Sequence, residues 1–177
     1  MEFNGRIALV IGGASGIGEA TARLLTARGA SVIIVGRDAD KGARVAKDLA
    51  RAKFIRADIT VEADVDALIA TLGREHTDID LLVNAAGVFV PKPFLDHARA
   101  DYDKYLGINR GTFFVTQAVA RSMVAARRGA IVNVGSMWAK QAIKATPSSA
   151  YSMAKAGLHS LTQHLAMELA DAGIRVN

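Results

Sequence analysis

Short apolar runs rich in β-branched residues alternate with longer amphipathic segments along the whole chain, and this alternation constrains the fold more than any other feature. The runs lie at residues 6–11, 31–35, 53–58, 79–87, 129–136 and 174–177. Between them, helical patterns span residues 16–29, 38–52, 60–76, about 99–127 and about 149–172. Apolar strands that alternate with helices predict a parallel sheet covered by helices on both faces. The expected fold class is therefore α/β, a doubly wound parallel sheet in three layers.

Cap residues and the two chain ends refine this expectation. Asp38 or Asp40 is the expected N-cap of the second helix, Thr60 opens the third, and Gly173 ends the fifth. No repeat, linker or low-complexity segment interrupts the pattern, so residues 1–177 are expected to form one domain. The chain stops just as the sixth strand begins, and we therefore expect the sequence to be truncated there.

Composition and charge exclude several classes of protein. The 177 residues include no Cys, which excludes disulfides, thiolate metal sites and Cys nucleophiles. The N-terminus lacks the basic lead-in of a secretory signal, and no apolar run is long enough to span a bilayer, so we expect a cytoplasmic protein without a membrane partner. The net charge of +5 is scattered, which favours a small phosphate-bearing ligand over nucleic acid.

The histidines do not form a metal-binding pattern. None of them has a carboxylate or histidine partner at metal-ligand spacing on one face of a predicted element, so no metal site is expected. We interpret all of them as surface or core residues: His76, His97, His159 and His164.

The stretch GGASGIG, residues 12–18, follows the first strand and opens the first helix. Its glycines, Gly12, Gly16 and Gly18, suit a tight turn, a close approach of a pyrophosphate to the backbone and a helix packed close to the strand. The helix N-terminus would offer free N–H groups to the phosphates. A glycine-rich turn without a ligand is the alternative, but this position in a strand–turn–helix unit favours a Rossmann-type dinucleotide site.

The end of the second strand bears on the choice of cofactor. Gly36 occupies the position where an acidic residue would bind the adenosine ribose, and Arg37 follows it. A guanidinium can bind a 2′-phosphate in bidentate fashion, so NADP(H) is favoured. Asp38 could cap the next helix or reach a ribose hydroxyl, which leaves NAD(H) possible. Asp58, at the end of the third strand, is placed to contact an adenine edge or to act as a turn residue.

The fourth strand ends in NAAG, residues 84–87, beside the predicted nucleotide crevice. Small residues at the carboxyl end of a parallel strand let a ribose or nicotinamide lie against the backbone. Asn84 can also hold neighbouring backbone in a turn. We expect both roles to hold, with Asn84 mainly structural.

Tyr151 and Lys155 stand four residues apart on a predicted helix and so share one face. From Lys155 onward this face is mainly apolar, so the lysine must snorkel, find a partner or bear a desolvation penalty. Beside Tyr151 its charge favours the phenolate, which would let the tyrosine exchange a proton with a substrate oxygen while a hydride moves at carbon. The face continues through Leu158, Thr162, Leu165 and Leu169.

Two further residues, Ser136 and Asn109, support a reacting site over a surface Tyr–Lys pair. Ser136 lies just past the fifth strand, where its hydroxyl could hold a substrate oxygen or begin a turn. Asn109 lies between Leu106 and Phe113 on the expected buried face of the long helix, where it either ties the helix to a neighbouring strand or holds a water that relays protons to Lys155. Trp138 could line a substrate pocket or cover an apolar edge.

Taken together, these motifs resemble the short-chain dehydrogenase/reductases in order and along essentially the whole chain. The resemblance implies an NAD(P)-dependent oxidoreductase that interconverts an alcohol and a carbonyl through Asn109, Ser136, Tyr151 and Lys155, with the lysine also binding the nicotinamide ribose. It further implies a homotetramer or homodimer joined by the helices that carry Asn109 and Tyr151. The predicted cofactor-binding residues are Gly12, Ser15, Gly16, Ile17, Gly18, Arg37, Asp58, Ile59, Asn84, Ala85, Gly87, Tyr151 and Lys155.

Some residues depart from the family pattern. Ile11 replaces a usual threonine before the glycine turn, Gly135 replaces a frequent serine, and Ser136 and Tyr151 are fifteen positions apart, which predicts a longer loop. Family members continue past GIRVN, so the C-terminal substrate-covering part is expected to be missing. The alternatives to an NADP(H)-dependent carbonyl or alcohol enzyme are an NAD-dependent alcohol dehydrogenase of the family and a non-catalytic nucleotide-binding protein.

Overall fold

The computed structural model describes residues 2–177 and contains one six-stranded parallel sheet. The strands are β1 (Ile7–Ile11), β2 (Ser31–Gly36), β3 (Ala52–Arg56), β4 (Leu81–Asn84), β5 (Gly129–Asn133) and β6 (Ile174–Val176). They lie in the order β3-β2-β1-β4-β5-β6, and each neighbouring pair is parallel. The strand order reverses between β1 and β4, which creates the crevice where ligands bind in doubly wound sheets. The predicted Rossmann-type fold class is confirmed.

In the described part of the chain, five α-helices and three short 3₁₀ helices connect the strands. The α-helices are α1 (Gly16–Ala27), α2 (Ala39–Lys47), α3 (Glu62–Glu75), α4 (Arg99–Ala126) and α5 (Ser149–Glu168). The 3₁₀ helices are Phe94–Asp96, Met137–Ala139 and Ala170–Ala172. Within residues 2–177, no helix combines the length and the apolar character that a bilayer crossing requires.

The two faces of the sheet carry separate apolar cores because successive strand residues point in opposite directions. Leu9 and Ile11 of β1 pack on one face with residues of α3, α4 and α5. Ala8 and Val10 pack on the other face with residues of α1 and α2. All four are fully buried, which explains why β1 is apolar throughout instead of alternating with polar residues.

Several predicted boundaries are corrected by hydrogen bonding. Thr60 does not cap α3, because the helix begins at Glu62 and its N-cap is Val61; the Thr60 hydroxyl donates to Asp58 instead. The fifth α-helix ends at Glu168, and a 3₁₀ turn leads from there to Gly173 in the left-handed conformation. Strands β3 and β5 end sooner than their apolar runs, because strand pairing stops at Arg56 and Asn133. Asp38 is confirmed as the N-cap of α2, accepting from the Lys41 amide at 3.0 Å.

The buried face of α4 differs from the expectation. Leu106 and Phe113 are 38% and 43% exposed, so the stripe that they define faces outward. The face turned to the core carries Thr112, Val115 and Val119 instead, which are at most 4% exposed. Two apolar stripes run along α4, and only one of them packs inside this chain.

One buried carboxylate holds the amino ends of the parallel strands together. Asp80, just before β4, is 3% exposed. Its carboxylate pairs with Arg6 at 3.2 Å and with Arg128, and it accepts the Ile7 amide at 3.1 Å. These contacts tie the starts of β1, β4 and β5 together, at the edge opposite the glycine turn.

Candidate active site

The glycine turn after β1 is packed too closely for side chains at two positions. A Cβ at Gly12, where φ is +80°, would lie 2.6 Å from the Ala86 amide nitrogen. A Cβ at Gly18 would lie 2.2 Å from the Gly12 carbonyl oxygen. Gly16 has φ of +53° with open space around it, so its backbone is accessible. The turn thus has the compact base and open face that a pyrophosphate site needs.

The first turn of α1 faces this open space. Ser15 is its N-cap, but the Ser15 side chain makes no capping hydrogen bond. Ile17 is 64% exposed although it is apolar. An uncapped helix start with exposed N–H groups and a positive dipole end suits an anionic group, so these residues fit the phosphates of a dinucleotide.

Two charged residues follow β2, and only one of them has partners among the described residues. Asp38 is occupied by α2: it accepts the Lys41 amide and lies 3.3 Å from the Lys41 amine. These contacts lower the pKa of Asp38, and the hydrogen bond from the Lys41 backbone amide contributes most. Arg37 is exposed and forms no ion pair with any carboxylate in residues 2–177. The cation at this edge is thus available to a ligand, while the acid is engaged.

Asp58 is held in a turn at the end of β3. Its Oδ1 accepts from the Thr60 amide at 3.0 Å and from the Thr60 hydroxyl at 2.8 Å. Burial raises the pKa of Asp58, but these two bonds and the nearby charges of Arg37 and Arg56 outweigh it, so the net shift is downward. The side chain of Ile59 is 6% exposed and belongs to the core, so a cofactor contact there would use its backbone.

Asn84 at the end of β4 connects three elements. It is 4% exposed, and its Nδ2 donates to the Thr116 hydroxyl at 2.9 Å and to Asn133 Oδ1 at 2.8 Å. Its own Oδ1 is buried without a partner among the described residues. The Ala85 amide donates a hydrogen bond to the Ile11 carbonyl, which continues the strand pairing, and the exposed Gly87 follows. Asn84 thus has a structural role, but it acts through side chains of α4 and β5 and not, as expected from the sequence, through the neighbouring backbone of a turn.

Tyr151 and Lys155 share one face of α5. The Lys155 amine lies 6.0 Å from the centre of the Tyr151 ring. It donates to the Val134 carbonyl at 2.5 Å, and no carboxylate in the described chain pairs with it. Burial lowers the pKa of Lys155. A half-buried cation with only neutral partners can stabilise negative charge that develops on a neighbouring oxygen.

Asn109 links α4 to α5. Its Nδ2 donates to the Ala154 carbonyl at 2.8 Å, so the amide ties two helices together and not a helix to a strand. Asn109, Tyr151 and Lys155 border one small cavity of about 20 Å³, together with Asn84 and Gly87. That volume is enough for about one water molecule. The cavity brings together site residues predicted from three separate segments of the sequence.

Ser136 lies next to this group but does not border the cavity. It is the N-cap of the 3₁₀ turn after β5, and its hydroxyl oxygen accepts from the Trp138 amide at 3.3 Å. Its own amide donates to Nε2 of His159 at 3.2 Å. The sequence interpretation of His159 as an ordinary surface or core residue missed this contact. Its position one helical turn after Lys155, on the same face, is the signal that could have found it.

Aromatic rings pack around Tyr151. Phe89 lies 4.7 Å from Tyr151 between ring centres, and Trp138 stacks on Phe89 at 6.1 Å. Tyr105 contacts Tyr151 edge-on at 5.8 Å and is held by Val90, whose amide and carbonyl both bond its hydroxyl. The approach to Tyr151 is therefore flat and apolar. Within residues 2–177, no cluster of three or more His, Asp or Glu residues could hold a metal ion.

The fold and the glycine turn define the class as a Rossmann-type nucleotide-binding α/β protein. The family model of the short chain dehydrogenases matches residues 6–177. The chain is 43% identical over 180 residues to cis-4-hydroxycyclohexanecarboxylate dehydrogenase of Sinomonas cyclohexanicum, covering 99% of this chain and 72% of that protein. It is 34% identical over 174 residues to an uncharacterized oxidoreductase of Staphylococcus aureus strain MRSA252, covering 97% and 74%.

Solved structures agree with this assignment. A short chain dehydrogenase/reductase family protein superposes with a TM-score of 0.93 at 40% identity, covering 100% of this chain and 74% of that one. A metagenomic short-chain oxidoreductase in complex with NADP superposes with a TM-score of 0.92 at 30% identity, covering 100% and 82%. The chain belongs to the short-chain dehydrogenase/reductase family and is an NAD(P)-dependent oxidoreductase.

Proposed function

We propose that this oxidoreductase interconverts a secondary alcohol and a carbonyl, with Tyr151 exchanging the proton at the substrate oxygen. The observation that carries the proposal is the Lys155 amine, which is half-buried, lies 6.0 Å from the Tyr151 ring centre and has a neutral carbonyl as its partner. Its uncompensated charge favours negative charge on the Tyr151 oxygen during proton transfer. A bound NAD(P) would supply or accept the hydride.

The other members of the proposed catalytic set have distinct tasks. Ser136 holds the substrate oxygen: its Oγ accepts from Trp138, which leaves its own proton free to donate. Asn109 fixes the distance between α4 and α5 through Ala154 and borders the cavity in which one water could lie near Lys155. Ser136 and Asn109 thereby hold the surroundings of Tyr151 and Lys155 in place.

NADP(H) is the proposed cofactor, with NAD(H) as the alternative. Gly12, Ser15, Gly16, Ile17 and Gly18 would surround the pyrophosphate, and Arg37 would bind the 2′-phosphate. The support is the free guanidinium of Arg37 beside an Asp38 that is already occupied as a helix cap. The remaining predicted contacts, along the adenine and the nicotinamide ribose, are Asp58, Ile59, Asn84, Ala85, Gly87 and Lys155.

The proposed substrate class is a cyclic secondary alcohol or ketone with an apolar ring. Phe89 and Trp138 form a stacked aromatic wall beside Tyr151, and such a wall suits a flat or cyclic apolar body. The relative named cis-4-hydroxycyclohexanecarboxylate dehydrogenase supports a cyclic substrate.

A homodimer or homotetramer is also proposed. The outward stripe of α4 exposes Tyr102, Leu106 and Phe113, and Met153 of α5 is 46% exposed. Apolar side chains on adjacent helices form the kind of patch that a second copy covers. Light scattering in solution measures the assembly directly.

The test of the proposed function is turnover of Tyr151→Phe. The wild type is assayed with NADP⁺ and NAD⁺ on a panel of cyclic secondary alcohols that includes cis-4-hydroxycyclohexanecarboxylate. Loss of the phenol proton should lower kcat about a thousandfold and leave cofactor affinity unchanged. Tyr102→Phe, on the exposed face of α4, is the matched control and should behave as wild type. Full turnover by Tyr151→Phe would refute the proton-transfer role.

A further inference from the structure

His159 stands on α5 one turn beyond Lys155, on the face that also carries Tyr151. Its ring is half-buried, and its Nε2 accepts the Ser136 amide proton at 3.2 Å. This contact crosses from the helix that carries the proposed proton donor to the loop that carries the proposed substrate-binding serine. One imidazole therefore couples two parts of the site that are otherwise separate along the chain.

Gly135 is the residue that lets this imidazole come so close. A Cβ at Gly135 would lie 2.3 Å from Nε2 of His159, well inside contact distance. Any side chain at position 135 would displace the ring and break its bond to Ser136. His159 can therefore occupy this place only because position 135 carries glycine instead of the family's frequent serine.

Ser136 is held at three points. Its amide donates to His159, its carbonyl accepts from the Ala139 amide at 3.2 Å, and its side-chain oxygen accepts from the Trp138 amide at 3.3 Å. With the oxygen already accepting one bond, rotation about the side chain is restricted and the hydroxyl proton has a defined direction. Loss of the His159 hydrogen bond would remove the contact that holds Ser136 to α5, while its two hydrogen bonds within the 3₁₀ turn would remain.

We infer that His159 is a positioning residue for this oxidoreductase, fixing Ser136 through the bond between Nε2 and the Ser136 amide, with Gly135 as the position that makes room for it. The inference rests on the proposed role of Ser136. The bond requires an unprotonated Nε2, which places the ring proton of the neutral imidazole on Nδ1. The contrasting interpretation is that His159 only fills space between α5 and the loop.

Amide hydrogen exchange tests the contact without any need for turnover. In His159→Ala, exchange at Ser136 should become about tenfold faster because its acceptor is gone. In His159→Gln, the side-chain carbonyl can accept the same proton, and exchange should return to near the wild-type rate. His164→Ala is the matched control, since His164 lies exposed on the same helix. Unchanged exchange in His159→Ala would overturn the inference.

Turnover of cis-4-hydroxycyclohexanecarboxylate with NADP⁺ tests the catalytic consequence. We expect His159→Ala to lower kcat about tenfold without changing the KM for NADP⁺, and His159→Gln to restore most of it. Gly135→Ala should lose as much as His159→Ala, and the double variant should lose no more than either single one. Additive losses, or full turnover by His159→Ala, would contradict the positioning role.

The variant Ser136→Ala distinguishes failure of the proposed role of Ser136 from failure of the positioning role of His159. If Ser136→Ala keeps full turnover, the proposed role of Ser136 fails, whatever the exchange rates are. If Ser136→Ala loses turnover and His159→Ala does not, the proposed function stands and the positioning role of His159 is refuted. Unfolding midpoints of all variants identify any loss that comes from an unstable fold.

Discussion

The two ends of strand β4 lie at opposite edges of the same sheet and are built in opposite ways. At the amino end, Asp80 is 3% exposed and fully engaged by Arg6, Arg128 and the Ile7 amide. At the carboxyl end, Asn84 is 4% exposed and keeps one buried oxygen without a partner among the described residues. Burial is the same at both ends, but only the amino end satisfies its polar groups.

The same contrast extends along the carboxyl edge. Lys155 is half-buried with the Val134 carbonyl as its hydrogen-bond partner, Arg37 has no carboxylate partner in residues 2–177, and the start of α1 lacks a side-chain cap. Each of these groups would be more stable with a counter-charge or a hydrogen bond. We conclude that the amino ends of the strands stabilise the fold, whereas their carboxyl ends leave polar and charged groups available to a cofactor and a substrate.

The largest expected effect on stability comes from removing the two arginines that pair with Asp80 at the amino ends of the strands. The double variant Arg6→Ala with Arg128→Ala leaves the buried carboxylate of Asp80 unpaired, which should lower the free energy of unfolding by about 3–5 kcal/mol. Urea unfolding measures this change. Arg121→Ala, an exposed arginine on α4, is the control and should stay within about 0.5 kcal/mol of wild type. A double variant as stable as that control would remove the contrast between the two edges.

A second prediction concerns the free cation at the carboxyl edge. Arg37→Ala should lower kcat/KM for NADP⁺ about tenfold to a hundredfold and leave kcat/KM for NAD⁺ nearly unchanged, because a charged hydrogen bond to a 2′-phosphate is lost. Steady-state kinetics with both cofactors measure the ratio. Arg44→Ala, on the exposed side of α2, is the matched control. Equal losses with both cofactors would show that Arg37 does not select the phosphate.

The smallest expected effect is at Asp38, two positions after Gly36. Asp38→Ala removes the N-cap of α2 and should lower the free energy of unfolding by about 1 kcal/mol. Cofactor preference should not change, because the carboxylate serves the helix and not a ribose. A large loss of NAD⁺ affinity in this variant would mean that Asp38 faces the cofactor, and the alternative NAD-dependent enzyme would then be favoured.

Much of the fold was predictable because apolar periodicity and turn residues carry it. All six strands and all five long helices lie where the alternation of the sequence placed them. The ends of β3 and β5 were not predictable, since strands end where a partner ends and not where apolar residues end. Thr60 has the side chain of a helix cap, but α3 begins one residue too late for it, with Val61 as the N-cap.

The same reasoning failed where one helix has two apolar faces. Leu106 and Phe113 have the spacing of a buried stripe, yet it is Thr112, Val115 and Val119 that reach the core. Periodicity identifies a stripe but cannot say which stripe packs inside the chain and which stays outside.

The proposed site was partly visible in the sequence. Tyr151 and Lys155 could be paired from their spacing on one helix, and the structure places them beside Asn109 at one cavity. The spacing on α5 could have placed His159 on the face of Lys155, but its partner could not be predicted, because the contact with the Ser136 amide depends on how the loop after β5 folds back onto α5. The roles of these residues in catalysis and cofactor binding stay predictions, as does the cytoplasmic location.

The variant Lys155→Met tests the contrast between the two edges most directly, because it gives opposite results for stability and for function. Burial lowers the pKa of Lys155 from 10.5, so its charge destabilises the cofactor-free fold at neutral pH. The wild type should become more stable as pH rises through that lowered pKa toward 10.5, where the unfolded chain also loses the proton. The variant should lack this rise.

The decisive measurement is therefore unfolding of cofactor-free Lys155→Met at neutral pH, together with its turnover. We predict that the variant is about 1 kcal/mol more stable than wild type and has lost nearly all activity. The stability difference should shrink as the pH approaches 10.5. A less stable variant, or one that keeps its turnover, would contradict the account, since the uncompensated charge at the carboxyl edge would then serve the fold and not the reaction.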